Sequence, residues 1–526
     1  MAATADVVVA GAGHNSLIAA CYLAKAGYEV LVLDARATPG GGASTEELTL
    51  PGFGFDTCST GHTLIQPNPL LRDDELGLKA RYGLEYLSPD PIAHVVFPDG
   101  ESFTHWLDLE RALEEISRFS QRDADTYRRG LEEFAEIRGA VGAYRFNPIG
   151  HAPPLDVALA DRPRWLRRIA SSAWDVIRCS YESPYVQSYL LWQAYQTAQA
   201  VDSPGSGLLA YSIVAGRQER SWSLPRGGSG ELARALCDFL ADHGATVVCG
   251  ERVTELVVEG GRCTGVVTAS GERYLARKAV VSTIHVKQLV EMAPAEEWGE
   301  DFLDGVETYD AGISSFAQYY ATTEPPKLLA PGGTQTAVSA GVVGWPEDVL
   351  ALGRDVREGR FPEARWLLIA TPTIVDPSRA PEGMHTVKLL SMVPWNDGDW
   401  DGAAREIADE NLAALRRAAP NMTDDVILAE LVKSPVDIEH ANPHMWRGTI
   451  HGGDRSTPND GPRRPVPGWA QHRLPIAGLY QTGATTHPGG SVTGGPGRNA
   501  ATILLADLGH DPREVMTAPV GGSAAS

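Results

Sequence analysis

Residues Asp6–Asp34 read DVVVAGAGHNSLIAACYLAKAGYEVLVLD, and this stretch decides the fold. The unbroken apolar run Val7–Ala10 predicts a parallel strand buried on both faces, and Val30–Leu33 predicts a second. Between them, Leu17 to Ala26 is rich in small residues and reads as a helix that Gly27 ends. Strand, helix and strand make one βαβ unit. Its Gly11-Ala12-Gly13 turn lies where a dinucleotide fingerprint makes its tight turn and approaches a pyrophosphate, at the positive end of a helix. Ser16 stands in place of the third glycine, small enough to keep the packing close. Asp34, 21 positions after Gly13, ends the second strand, where a carboxylate accepts hydrogen bonds from an unphosphorylated ribose. The alternative is a glycine turn in a purely structural βαβ unit.

Glycine makes up 55 of the 526 residues, above the usual share of roughly 7%, and it is clustered. Gly40-Gly41-Gly42-Ala43-Ser44 follows Asp34 closely, Gly227-Gly228-Ser229-Gly230 lies mid-chain, and a last group runs from Gly483 to Gly497. Each cluster marks a place where backbone comes close to something. A nicotinamide dehydrogenase has no need of the second cluster. No further strand–GxGxxG–helix unit occurs, so a separate NADPH domain is not expected.

Lys and Arg number 45 against 67 Asp and Glu, a net charge of −22, which leaves no general basic field for nucleic acid or an anionic bilayer. The length predicts more than one domain. No apolar stretch is long enough to span a membrane, and Met1 leads almost directly into the first strand, so no signal peptide and a cytoplasmic location are expected. The six cysteines lie far apart with no Cys-x-x-Cys pair, which suits reduced thiols.

Downstream, Leu109–Phe119 and Arg129–Ile137 read as amphipathic helices. Pro163–Ala200 carries Trp165, Trp174, Tyr181, Tyr185, Tyr189, Trp192 and Tyr195, a spacing more typical of helix packing than of a substrate box. Arg162, Arg164, Arg167 and Arg168 read as a solvated face rather than a membrane contact. Glu231–His243 predicts a helix, followed by strands at Thr246–Cys249, Val253–Val258, Thr264–Thr268 and Ala279–Ser282. Further strands are predicted at Ile313–Ala321, Trp366–Thr371 and His385–Val393, and helices near Ala403–Ala418 and Asn499–Leu508. From Asp511 no pattern remains, and a disordered tail is expected. A serine-hydrolase elbow and a Gly-Lys-Ser/Thr phosphate loop are both missing. His440, His444 and His451 suggest metal ligands by composition, but Pro443 breaks the helix that would align them, so no metal is expected.

The segments Val9–Leu17, Pro39–Thr45, Pro225–Gly230, Asp376–Gly383 and Gly478–Gly497, in that order, resemble the phytoene-desaturase-related FAD oxidoreductases of the carotenoid-desaturase and flavin amine-oxidase superfamily. The Gly-x-Gly-His-Asn opening is most similar to the pyridine nucleotide-disulfide oxidoreductase domain proteins. Ser16 is the departure, since these proteins usually carry glycine there. The resemblance implies an α/β protein: a Rossmann-like FAD-binding domain from residues 1–105, 215–290 and 471–510, with a discontinuous mixed α+β substrate domain from 106–214 and 291–470. It implies FAD held by Gly11, Gly13, Asn15, Ser16, Asp34, Ala35, Gly41, Gly42 and Ala43. Val253 would meet the adenine, and Gly483, Ala484, Gly490, Ser491 and Val492 would run along the ribityl chain and flavin ring. His62 and His487 are the candidates for contact with substrate or for acid–base work, with local backbone capping as the alternative for His487. The expected activity is dehydrogenation or desaturation of an apolar or aromatic small molecule by hydride transfer to flavin N5, with oxygen, a quinone or another compound as acceptor. Rival readings are a redox-neutral flavin isomerase, an amine oxidase and a non-enzymatic carrier resembling Rab GDP-dissociation inhibitors.

Overall fold

Val7, Val8 and Val9 are wholly buried because the strand that carries them is covered on both sides. The computed structural model describes residues 3–363, 366–396 and 400–520. Ala3–Ala10 runs parallel to Val30–Asp34 on one side and to Arg273–Ser282 on the other, with Val7 opposite Val30 and Ala279. Thr246–Cys249 extends the sheet past Val30–Asp34, and Leu479–Gln481 pairs in parallel with Arg273–Ser282. The hairpin Val253–Glu259/Arg262–Thr268 continues the sheet in antiparallel fashion. Side chains alternate across a strand. Val7 and Val9 therefore enter a core shared with helices His14–Lys25, Gly230–Asp242 and Gly495–Asp507. Val8 and Ala10 enter a second core with Val286, Trp298 and Phe302. Two covered faces require the all-apolar strand that the sequence shows.

A second sheet has the strand order Ile427–Lys433, Ser314–Thr322, His385–Val393, Leu367–Ala370, Ser339–Val342, Ala93–Val96, Ser102–His105. Its last two strands come from the segment 1–105 that the sequence assigns to the FAD-binding domain. Ala93–Val96 lies parallel to Ser339–Val342, a partner more than two hundred residues away, and nothing in a local apolar pattern names such a partner.

Helices from Leu109 to Arg220 cover this sheet. Trp192 Nε1 donates to Leu367 O at 3.0 Å, and Gly341 leaves room for its indole, since a Cβ there would stand 2.6 Å from the ring. Trp165, Tyr189, Trp192 and Tyr195 are buried in this core, as ordinary packing predicts. Arg162, Arg164 and Arg168 pair with Glu133 and Glu136 on helix Gln121–Arg145. Among the described residues no helix is long and apolar enough to cross a membrane.

At the C-terminus the structure differs from the expected tail. Pro512–Thr517 is a helix whose Met516 is buried against the first core, one apolar anchor in a short segment that periodicity does not detect; residues 521–526 lie outside the described residues. The preceding helix starts at Gly495 rather than Asn499. Its glycines permit close approach: a Cβ on Gly497 would stand 2.3 Å from Asn15 O, and Gly497 N donates to Asn15 Oδ1 at 3.3 Å.

Candidate functional site

The two glycine loops after the first and second strands lie against each other. Gly40 N donates to Ala12 O at 2.7 Å and His14 N to Gly40 O at 3.3 Å. Gly11 sits at φ +107°, and a Cβ on it would stand 2.4 Å from Thr283 Oγ1; Gly41 is at φ +61° with its Cβ position 3.0 Å from Gly13 Cα. Both positions need glycine for conformation as well as for space. Asp34 accepts from Ala12 N at 2.6 Å and Arg36 N at 2.8 Å, which fixes its carboxylate at the strand end. Burial raises its pKa more than these donors lower it. Arg36 in turn donates to Gly41 O at 2.8 Å and pairs with Glu46, so the loops and the acid form one unit.

Ser16 explains its departure from glycine. Its Oγ donates to Gly11 O at 2.5 Å and Gly13 O at 2.9 Å, tying down the turn from behind. It is buried and does not line the adjoining cavity.

That cavity, of about 530 Å³, runs from the cradle into the space between the helical layer and the second sheet. Gly11, Gly13, Asn15, Asp34, Ala35, Gly41 and Gly42 line one half, with Val253 and Thr283. Gly483, Ala484, Ser491 and Val492 border its middle, and Ile213, Trp222, Leu368, Leu390 and Ile450 are among the residues of the far half. Ala43 and Gly490 do not face it. Ala43 is packed in the first core, and a Cβ on Gly490 would stand 2.4 Å from His451 O, which makes Gly490 a spacer behind the lining. Ser491 adopts φ +73°, strain in a non-glycine residue that clusters at functional sites. Arg464, fully buried, holds the middle segments together: it donates to Ala484 O at 2.6 Å and 3.0 Å, to Asp454 O at 2.7 Å and to Asn459 O at 3.0 Å.

The structure places the two candidate catalytic histidines away from the cavity lining. His62 meets Ser229 Oγ at 2.9 Å and Tyr86 OH at 3.3 Å, and burial holds its pKa down to about 3. His487 Nε2 donates to Tyr144 O at 2.8 Å, so it caps local backbone; burial lowers its pKa too. Their places are taken by His14, His444 and His451, which line the cavity. Burial holds His14 and His444 down to about 4 and His451 to about 3, leaving all three neutral at physiological pH. His444 Nδ1 is buried without a partner, and His451 Nδ1 lies 3.3 Å from Ser491 Oγ. One signal for His451 was present in the sequence, the glycine pair Gly452-Gly453 after it. For His444 the sequence suggested only a metal ligand.

The donor set fits a dinucleotide. Glycines at positive φ leave backbone bare, a fixed carboxylate closes one end, and the cavity continues past the cradle. The family model for flavin-containing amine oxidoreductases matches residues 17–504. The chain belongs to that family. One subunit of the limonene dehydrogenase of Castellaniella defragrans is 29% identical, covering 98% of this chain and 97% of that protein. Pyridine nucleotide-disulfide oxidoreductase domain-containing protein 2 of Mus musculus is 26% identical over 96% and 94% of the two chains. Among solved structures, an oxidoreductase from Methanosarcina mazei shares the fold with a TM-score of 0.61 at 16% identity, covering 95% of this chain and 99% of that one. The protein is thus an FAD-dependent oxidoreductase with a Rossmann-like cofactor fold.

Proposed function

We propose that this flavoprotein dehydrogenates an apolar or aromatic small molecule, removing a hydride and a proton across a substrate bond and passing the electrons to oxygen, a quinone or another acceptor. The observation that carries the reading is that the glycine cradle and an apolar wall line one cavity. Bound FAD would be held by Gly11, Gly13, Asp34, Gly41 and Gly42 and would supply the two-electron acceptor. The chain's own part is to position the substrate and keep water out, and neither task requires a nucleophile. Ile213, Trp222, Leu368 and Leu390 exclude water from the far half. His14, His444 and His451 are uncharged there and each can accept a proton without first losing one. The name of the limonene relative supports a hydrocarbon-like substrate.

Amine oxidation is the second reading, favoured by the family's name. Against it stands Arg217, a cation in the cavity wall that would repel an ammonium group. The deciding experiment mixes holoenzyme anaerobically with limonene, cyclohexanol and cyclohexylamine and follows the flavin's visible absorbance. Bleaching by the alkene or the alcohol is expected. Bleaching by the amine alone would replace this reading with the second, and bound flavin that none of them reduces would favour a redox-neutral isomerase.

A further inference from the structure

Helix Leu209–Arg220 turns Ile213 and Arg217 toward the far half of the cavity. Arg217 is 8% exposed. One of its Nη atoms donates to Gln193 Oε1 and the other to Gln196 Oε1, the latter at 2.7 Å. Both acceptors are neutral amides. Beyond Gln193 the chain of contacts continues through the Tyr189 hydroxyl to His105, which also meets Tyr127 OH and Gln218 Oε1 at 2.9 Å each. Burial holds His105 down to about 4, so it is neutral as well. Among the described residues no carboxylate pairs with Arg217, and the one group that acts on its charge is the Tyr189 phenol. Burial lowers its pKa only to about 10, which leaves it charged at neutral pH. Beside it, Gln196 Nε2 is buried without a partner, and both residues line the cavity.

A buried guanidinium without a counter-ion is costly, and so is a buried amide donor left unpaired. When both occur together on a cavity wall, a ligand that satisfies them accounts for their presence. We infer that Arg217 and Gln196 form a carboxylate subsite. The substrate is an apolar acid whose carboxylate rests on the guanidinium and the amide, with its hydrocarbon part along Ile213, Trp222, Leu368 and Leu390 toward the cradle. A carboxylate suits the site better than a phosphate. It carries one charge for one guanidinium, and its two oxygens match donors arranged as a planar fork; a dianion would leave a charge uncompensated. The inference rests on the reading of the far half as the substrate side, and it names the class of substrate.

The test uses ligand pairs that differ only in charge: octanoate with octanamide, and cinnamate with cinnamamide, titrated into purified holoenzyme and followed by flavin difference spectra. In each pair the carboxylate is expected to bind about thirtyfold tighter or more. Arg217→Gln should abolish the preference with FAD content per chain unchanged, and Arg217→Lys should keep part of it. Should Arg217→Gln fail to fold, Gln196→Leu in the same titrations is expected to lower the preference. Equal binding of acid and amide by the unaltered enzyme, or a preference that survives Arg217→Gln, overturns the subsite. So does an Arg217→Gln protein that sheds FAD but keeps the preference, since the guanidinium would then serve the cofactor. Failure of the dehydrogenase reading looks different: the acids bind preferentially, but no substrate class bleaches the flavin.

Discussion

In the cradle half of the cavity the lining is largely backbone, supplied by Gly11, Gly13, Gly41 and Gly42 and fixed by main-chain bonds such as Gly40 N to Ala12 O. In the far half it is side chains, Ile213, Trp222, Leu368 and Leu390, carried on a helix, a loop and a second sheet assembled from distant segments. Backbone lining leaves almost no freedom of sequence, because any Cβ at Gly11 or Gly41 meets both an unfavourable φ and a neighbouring atom. Side-chain lining can be altered one residue at a time without disturbing the scaffold. The cofactor is therefore the invariant of this architecture and the substrate its variable, which is how one fold hosts several chemistries.

The histidines at the seam between the halves give the largest expected effect. His14 and His444 titrate near 4 and His451 near 3 in the folded chain, below the ordinary value near 6.5. The unfolded chain thus takes up protons first. Stability from the neutral rings is fully present above pH 6.5 and is lost as pH falls toward 4, by up to about 1.4 kcal/mol per pH unit for each ring. Urea unfolding at pH 7 and pH 5 should show this decline, with His444→Gln making it shallower; equal midpoints would refute the buried neutral rings.

Gly11→Val should break the cradle, costing about 4 kcal/mol from strain and overpacking and yielding colourless protein; the measures are flavin absorbance per chain and a thermal melt. Asp34→Ala removes a fixed acceptor but leaves the loops in place. Apoprotein titration with FAD should show affinity lower by about 2 kcal/mol, and unchanged affinity would rule out the ribose assignment. Leu390→Ala sharpens the contrast from the other side, with FAD retained in full, stability lower by about 1.5 kcal/mol because one face already opens on the cavity, and altered substrate preference. Loss of flavin in that variant would erase the distinction between the halves. Arg164→Gln, which breaks an exposed pair with Glu133, should change stability by less than about 0.5 kcal/mol.

The cradle was legible in the sequence because its determinants are local: an apolar strand, a glycine turn, a helix of small residues and a carboxylate at a fixed offset. Residues in the right motif but facing the wrong way were not separable by that logic. Ser16, Ala43 and Gly490 share a loop with lining residues and support them from behind. His62 and His487 looked functional as lone histidines near glycine, but their rings are engaged by Ser229, Tyr86 and Tyr144. Arg217 was invisible for the opposite reason. Its meaning lies in the lack of an acidic partner, a property of three-dimensional surroundings that no spacing encodes. The far half depends on strands such as Ala93–Val96 and Ser339–Val342 finding each other across the chain, which a local pattern cannot specify.

The contact between Asn15 and Gly497 spans 482 positions of sequence. It joins the first helix to the last long one, and the neighbouring strand Leu479–Gln481 completes the sheet edge beside the cradle. During synthesis the nucleotide-binding turn is therefore made first and enclosed last. For nearly the whole of translation, helix His14–Lys25 has no C-terminal helix to cover it, and its apolar flank is open to solvent or to a chaperone. Cofactor capture in this protein is an event of the released chain, and a truncation that removes only the last helix should leave a protein with nearly all of its sequence and none of its flavin.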